Sequence, residues 1–250
     1  MTILLVDAGN TRVKWALADT AAAPGEWLAH GAVLHAGLAT LGDAWRALDA
    51  GCALVSNVAG TALRDQLTAL LAPLPITWFV SRPMLAGVTN GYRNSAQLGC
   101  DRFAAAIGAR AYYPGKRLVV ATCGTATTID AIDAGGVFIG GMIAPGLALM
   151  AGALANNTAQ LPQAQPGAAL PPAFADNTLD AIASGCINAQ AGAIERAVAA
   201  HGADLCIVSG GAAAYIAPAL SISHVVRENL VLAGLHAAAG PLAQQGELPC

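Results

Sequence analysis

Charge and aromatic rings are scarce in this sequence. Of its 250 residues only 11% are charged and 5% aromatic, against 56% hydrophobic. The twelve Lys and Arg residues are scattered singly and the net charge is −3. That leaves neither the basic footprint of a nucleic-acid binder nor a polybasic segment for an anionic membrane. Six cysteines, at 52, 100, 123, 186, 206 and 250, include no Cys-x-x-Cys pair and no cysteine–histidine cluster with zinc spacing. Several lie in apolar runs such as "ADLCIVSGG", so the expectation is buried free thiols in a cytoplasmic protein. The five histidines show no pairing that suggests a metal site or a triad. Asp7 interrupts the first apolar run too early for a signal-peptide core, and no basic residue precedes it. Residues 134 to 175 carry no charge at all, yet Gly135, Gly136, Gly140, Gly141, Pro145 and Gly146 break them up. The pieces fall short of the roughly 20 apolar residues of a spanning helix. A buried strand, turn and helix at a subunit interface is expected there instead.

What is present is an ordered succession of apolar runs, enough for one large or two small domains. Strands are expected at "TILLVD", "RVKWALAD" and "EWLAHGAVLH". A helix at "LATLGDAWRALDA", a strand at "CALVSNV", a helix at "TALRDQLTALLA" and a strand at "ITWFV" follow. Residues 86 to 99 read as a loop, and a helix runs from near Asp101 to Tyr113. The order then restarts. Strands "RLVVAT", "TATTIDAID" and "VFIGGMIA" precede helices near 146–156 and 178–200, a strand "DLCIVS", a helix after Gly211, a strand "ISHVV" and a last helix from about Glu228. Three successive strands followed by crossover units, twice over, imply two mixed sheets flanked by helices. The expected division is a half at 1–115 and a half at 116–250.

Residues repeat as well as patterns. Shifted by 115, "LLVDAGNTRVK" lies over "VVATCGTATTI", with Gly9 on Gly124, Asn10 on Thr125 and Asp7 on Thr122. Glycine in such a turn allows positive φ and a close backbone approach, and the surrounding N–H groups and hydroxyls suit phosphate oxygens. In the first loop Asn10, Thr11 and Lys14 are candidate phosphate contacts, and Asp7 can orient Mg²⁺ through its waters. The second loop offers neutral donors at Gly124, Thr125, Ala126 and Thr127. In "CIVSGGAAAYI" a strand runs through Gly210 and Gly211 into a helix, an arrangement for a nucleotide near a helix N-terminus and equally for a routine turn. In "YRNSAQLGCDRF" Asp101 and Arg102 open a helix. The acid suits the helix dipole and the cation does not, so an acid that takes a proton beside an anion-binding base is the functional reading.

Together these segments resemble the type III pantothenate kinases of the acetate and sugar kinase, Hsp70 and actin superfamily. "DAGNTRVK", "GCDR", "GTATTID" and "VSGGAA" resemble its motifs in order and spacing, and "GGMIAPG" and "NTLDAIASG" look like further family segments. The resemblance implies two ribonuclease-H-like halves, an actin-like ATPase fold with ATP in the cleft between them. It implies phosphorylation of pantothenate to 4'-phosphopantothenate, the first step of coenzyme A biosynthesis. By the same resemblance Asp101 is the general base, and Tyr92, Gly99, Cys100, Asp101 and Arg102 bind pantothenate. Thr178 reaches the substrate from the partner of a homodimer. Asp7, Ala8, Gly9, Asn10, Thr11, Arg12, Val13 and Lys14, with Gly124 and Thr125, hold ATP, and Mg²⁺ accompanies it at Asp7. The family generally also needs a monovalent cation, K⁺ or NH₄⁺, beside an aspartate two residues before the second-motif glycine. This chain has Thr122 there, which supplies an oxygen but not the charge, with Asp130 as a further acid nearby. Alternatives on the same fold are a kinase of another small alcohol or carboxylate, and a regulatory relative that does not bind DNA.

Overall fold

The first apolar run forms β1 (Thr2–Ala8), and its side chains from Ile3 to Val6 are fully buried. Strands covered on both faces read as continuous rather than alternating hydrophobics, and this one is covered on both. The computed structural model describes residues 1–164 and 170–249. Around β1 it sets β2 (Arg12–Asp19), β3 (Ala29–Leu34), β4 (Cys52–Asn57) and β5 (Ile76–Trp78) in the order β3-β2-β1-β4-β5. β2 runs antiparallel to β1, while β4 runs parallel to β1 and β5 parallel to β4. Leu4, Val6 and Ala8 face a core shared with Leu38, Trp45, Leu63 and Leu67. Those residues come from the segment before α1 (Leu41–Arg46), from α1 itself and from α2 (Thr61–Leu71).

The 38–50 stretch expected as one helix is instead a 3₁₀ turn at His35–Thr40 followed by a six-residue α-helix. Gly42 lies inside it and weakens a continuous helix. The 86–99 loop likewise contains structure: β7 (Val88–Asn90) lies within it and pairs with β6 (Met84–Leu85) just before it. They are too short for periodicity to reveal.

The second sheet repeats the first. β8 (Leu118–Cys123), β9 (Ala126–Ile132), β10 (Val137–Pro145), β11 (Leu205–Ser209) and β12 (His224–Val226) belong to a seven-stranded sheet of order β12-β11-β8-β9-β10-β7-β6. Its stretch from β12 to β10 is the first order, with β8 to β10 in the places of β1 to β3 and β11 and β12 in those of β4 and β5. Strand directions match where both can be compared: β8 is antiparallel to β9 and parallel to β11, which is parallel to β12. α4 (Leu147–Asn157), α5 (Thr178–His201) and the short α6 (Ala213–Ile216) supply the packing residues. α5 starts on Asn177, whose side chain accepts from Asp180 N–H. It ends at Gly202 in the left-handed conformation.

Contacts divide the chain into two compact units: Met1–Gly115 with Gly135–Phe138 and everything from Asn229 on, and Lys116–Ala134 with Ile139–Glu228. The units are therefore not the two halves that the sequence repeat suggests. The final helix, α7 (Leu230–Gln244), packs in the first unit against α3 (Cys100–Tyr112). Their contact is backbone to backbone. A Cβ on Gly234 would lie 1.7 Å from Ala104 O, and one on Gly108 2.4 Å from Leu230 O. Four cysteines, Cys100, Cys123, Cys186 and Cys206, are free thiols as expected. Cys52, at the start of β4, departs from that expectation and is disulfide-bonded. Pairing depends on which thiols a fold brings together, and sequence spacing carries no sign of it.

Gly234→Ala is expected to separate α3 from α7 and to destabilise the protein by about 1–3 kcal/mol or more, as overpacking does. Gly192→Ala meets nothing within 4 Å on an exposed face of α5. It should instead gain roughly 0.5–1 kcal/mol of helix propensity. Paired denaturant titrations check both signs.

Candidate active site

The turn between β1 and β2 is a tight hairpin. Gly9 N–H bonds Arg12 O at 3.1 Å, which leaves Asn10 and Thr11 at the exposed tip. Neither Gly9 nor Gly124 has positive φ, contrary to the expectation for these turns. Their importance lies in the missing side chain. A Cβ at Gly9 would meet only Arg12 O at 3.5 Å, and one at Gly124 only Ala126 O at 3.6 Å, so the face above each glycine is open to a ligand. Ala8 and Val13 point into the core and can offer only backbone groups outside it.

Pairing across the sheet assembles the charged residues. Asp7 is the cross-strand partner of Lys14 on β2 and the neighbour of Ser56 on β4. Lys14, Asp7 and Ser56 thus form a row over three strands, on the face opposite Leu4, Val6 and Ala8. That face carries α3. Cys100, first residue of α3, lies 3.4 Å from Ser56 Oγ through its Sγ, and the same Sγ lies 3.6 Å from Asn57 O. The thiol is pushed up by burial and stays protonated.

Asp101 follows. Its Oδ1 accepts from Arg102 N–H at 2.8 Å, so the carboxylate folds back over the helix N-terminus. Gly99 makes room for this: a Cβ there would come within 2.7 Å of Asp101 Oδ1. Burial raises the proton affinity of Asp101 above the usual carboxylate range, opposed by the Arg102 N–H and guanidinium. Asp7 is pushed up to about 7, first by burial and further by the Asp101 charge, while Lys14 pulls the other way. Burial is thus the main obstacle to ionising Asp7, and the nearby Asp101 charge adds to it.

Arg102, nearly buried, sends its guanidinium away from the helix start. Nη1 donates to Tyr92 Oη at 2.9 Å, and the group sits 5.7 Å from the Tyr92 ring and 5.6 Å from the Phe138 ring. The Tyr92 loop is fixed by Asn90. Its Oδ1 accepts from Tyr92 N–H, and its Nδ2 donates to Ser95 O, both at 3.0 Å. Phe138 also accepts from Gly91 N–H through its carbonyl, at 2.9 Å. Sequence reading did not single out Ser56, Asn90 or Phe138, which become visible only as strand neighbours and ring contacts.

In the second unit the equivalent hairpin is one residue shorter. Gly124 N–H bonds Ala126 O at 3.0 Å, and Thr125 alone is the tip. A uniform shift of 115 is therefore right for β8 but not for β9. Thr122 pairs with Thr128, so Thr128 rather than Ile129 stands in the place of Lys14. Ser209 neighbours Thr122 on β11. The row Thr128, Thr122, Ser209 is thus the uncharged counterpart of Lys14, Asp7, Ser56. Thr128 Oγ1 is buried with no hydrogen-bond partner among the described residues, and Asp130 is buried two residues on. Gly210 has positive φ, but a Cβ there would meet Cys123 O at 2.3 Å. Its glycine serves internal packing, whereas Gly211 faces open space. Thr178 opens α5, exposed at the rim of an apolar cavity of about 990 Å³ whose lining includes Met150, Leu154, Leu161 and Ile182.

The raised proton affinity of Asp7 fixes a sign for metal-free stability. The folded state holds this proton up to about pH 7 and the unfolded chain releases it near 3.8. Stability in chelator therefore falls as pH rises through that window and levels off above it. Asp7→Asn should match wild type near pH 4 and melt at higher temperature than wild type near pH 8. Equal melting curves at pH 8 would contradict the assignment.

A family profile described as type III pantothenate kinase matches residues 3–200. The chain is 56% identical to a type III pantothenate kinase of Janthinobacterium sp. (strain Marseille), over 95% of this chain and 97% of that one. Among solved structures, a Baf family protein of Campylobacter jejuni aligns with TM-score 0.66 at 19% identity, covering 96% of this chain and 99% of that one. The activator of 2-hydroxyisocaproyl-CoA dehydratase from Clostridium difficile, with ADPNP bound, aligns with TM-score 0.57 at 12% identity, covering 99% and 96%. At such identities these likenesses show the fold alone: an α/β, actin-like ATPase architecture built on two mixed sheets. Matched through most of its length by the family profile and by its relatives, the chain belongs to the type III pantothenate kinase family.

Proposed function

We infer that this chain transfers the γ-phosphoryl group of ATP to the primary hydroxyl of pantothenate, the entry step to coenzyme A. One observation carries the reading at the level of residues: Asp101 stands at the start of α3 beside the Lys14–Asp7–Ser56 row and is electrostatically coupled to Asp7. An acid for the acceptor hydroxyl thus adjoins the acid and lysine of a phosphate hairpin.

In this reading Asn10, Thr11, Arg12, Lys14 and the backbone from Ala8 to Val13 hold phosphate, and in the second unit Gly124 and Thr125 are the nucleotide contacts. Mg²⁺ fits the first hairpin, because Asp7 is a carboxylate whose ionisation burial and the Asp101 charge both disfavour, and a divalent cation offsets that cost. One or two carboxylates with water completing the shell is its usual protein site. When bound, it neutralises phosphate charge. Asp101 orients the pantothenate hydroxyl and accepts its proton as the hydroxyl oxygen bonds to phosphorus and the bond to ADP breaks. The raised proton affinity of Asp101 makes it a stronger base than an exposed aspartate. Arg102, steadied by Tyr92 and Phe138, holds the pantothenate carboxylate; Tyr92, Gly99 and Cys100 complete its surroundings.

The Thr128–Thr122 pair, with Asp130 nearby, is the proposed position of a monovalent cation. The unpartnered Thr128 hydroxyl has an oxygen to give, but neutral oxygens hold K⁺ or NH₄⁺ weakly. The chain also acts as a homodimer in this reading. Ile143 is 67% and Phe174 98% exposed, with Leu149 and Leu179 also open, an apolar surface that a second copy would cover. Thr178, beside Leu179, is the residue a partner would contribute to the substrate. The cytoplasm, which holds the ATP, is the expected location.

A coupled ADP assay with pantothenate tests the residue roles. Asp101→Asn should lower kcat by about 10²–10⁴-fold. Arg102→Ala should chiefly raise the Michaelis constant for pantothenate; an effect confined to ATP would sink its role. Omitting K⁺ and NH₄⁺ from the same assay should leave turnover in place, and strict dependence would argue against a weak neutral site. Light scattering should give a dimer for the wild type and a monomer for Ile143→Glu. A dimeric Ile143→Glu would place the interface elsewhere.

A further inference from the structure

In the first hairpin an imidazole meets Gly9 O. His35 Nε2 lies 2.8 Å from it, and His35 is half-buried. A carbonyl oxygen only accepts, so Nε2 carries the proton and donates. The contact follows from the sheet: Leu34, the last residue of β3, is the cross-strand partner of Arg12, and Arg12 O receives Gly9 N–H. The residue after Leu34 therefore lies next to the hairpin tip.

We propose that His35 is a positioning residue for phosphate binding, acting through the Gly9–Asn10 peptide. In a trans peptide the C=O and the following N–H point in opposite directions. Holding Gly9 O against the imidazole turns Asn10 N–H away from His35, to the far side of the peptide. That N–H belongs to the exposed tip, where phosphate oxygens would be met. The donated bond also polarises the peptide and strengthens Asn10 N–H as a donor.

The second unit holds its hairpin by a related contact, one residue further along the turn. Its third strand, β10, ends at Pro145, and the next residue, Gly146, donates its backbone N–H to Thr125 O at the hairpin tip, 2.9 Å away. The chain there touches the tip directly: a Cβ on Gly146 would fall 2.1 Å from Gly124 O and 2.6 Å from Thr125 O. In each unit, then, the residue directly after the third strand pins a carbonyl of the phosphate hairpin. The second unit does so with backbone at contact distance and the first with a side chain that spans a wider gap.

The proposal rests on the first hairpin being the ATP site, and the test separates the two. His35→Gln keeps an N–H donor of similar reach, and His35→Met keeps the length without one. The Michaelis constant for ATP should rise about two- to tenfold in the Met variant, as loss of one hydrogen bond predicts. The constant for pantothenate should stay within about twofold, and the Gln variant should stay near wild type for both. A Met variant indistinguishable from wild type overturns the proposal. So do Gln and Met variants impaired alike, which would mean packing rather than donation, and so does a parallel rise in both constants. Should the Met variant not fold, the Gln variant decides, because any marked rise in its ATP constant contradicts a donor role. Wild-type protein that binds MgATP in calorimetry but does not phosphorylate pantothenate would refute the substrate reading alone. The order of MgATP affinities, wild type and Gln above Met, would still test His35.

Discussion

The contact of α3 with α7 is the constraint on which the first unit depends. Gly108 and Gly234 let the two backbones touch, and no other side chain fits at either position without moving a helix. Since α3 begins with Cys100, Asp101 and Arg102, the depth at which it seats on the sheet decides where the acid stands relative to Asp7. Small residues far from the chemistry thus set its geometry. Cys100 reinforces the placement from the other end through Ser56 and Asn57.

The two hairpins show how one fold divides its labour after duplication. Strand order and directions repeat, and so does the three-strand row at the hairpin base. The residues do not: Lys14, Asp7 and Ser56 in one copy, Thr128, Thr122 and Ser209 in the other. One row holds an acid whose proton affinity reaches the neutral range, and the other holds hydroxyls. A charged row can engage a divalent ion, whereas a neutral row can only lend oxygens and N–H groups. The loss of one tip residue keeps Thr128 in register with Thr122 and accounts for the misalignment on β9.

Much of this was legible in the residues, for identifiable reasons. β1, β4, β8 and β11 are buried on both faces, so each stands out as an unbroken apolar run. The Gly-Cys-Asp-Arg start of α3 is legible because an acid at a helix N-terminus is ordinary and an arginine there is not. Other features depend on neighbours that sequence does not reveal. His35 had no visible role, since its partner is a carbonyl 26 residues away. The β6–β7 ribbon is too short to leave a period. Glycine in the hairpins suggested positive φ, but the structure uses its missing side chain instead. Membership of α7 in the first unit could not be read from a repeat that puts it in the second half.

That last feature has a consequence for how the chain matures. During synthesis every residue of the second unit, up to Glu228, is joined to the chain before the helix that finishes the first unit. Until Asn229 and the residues after it leave the ribosome, Gly108 has no partner, and one face of β1 lacks its cover. The amino-terminal segment thus waits for the last residues of the chain with apolar surface exposed. The nascent chain is therefore most open to aggregation late, just before α7 docks and seats the helix that bears Asp101.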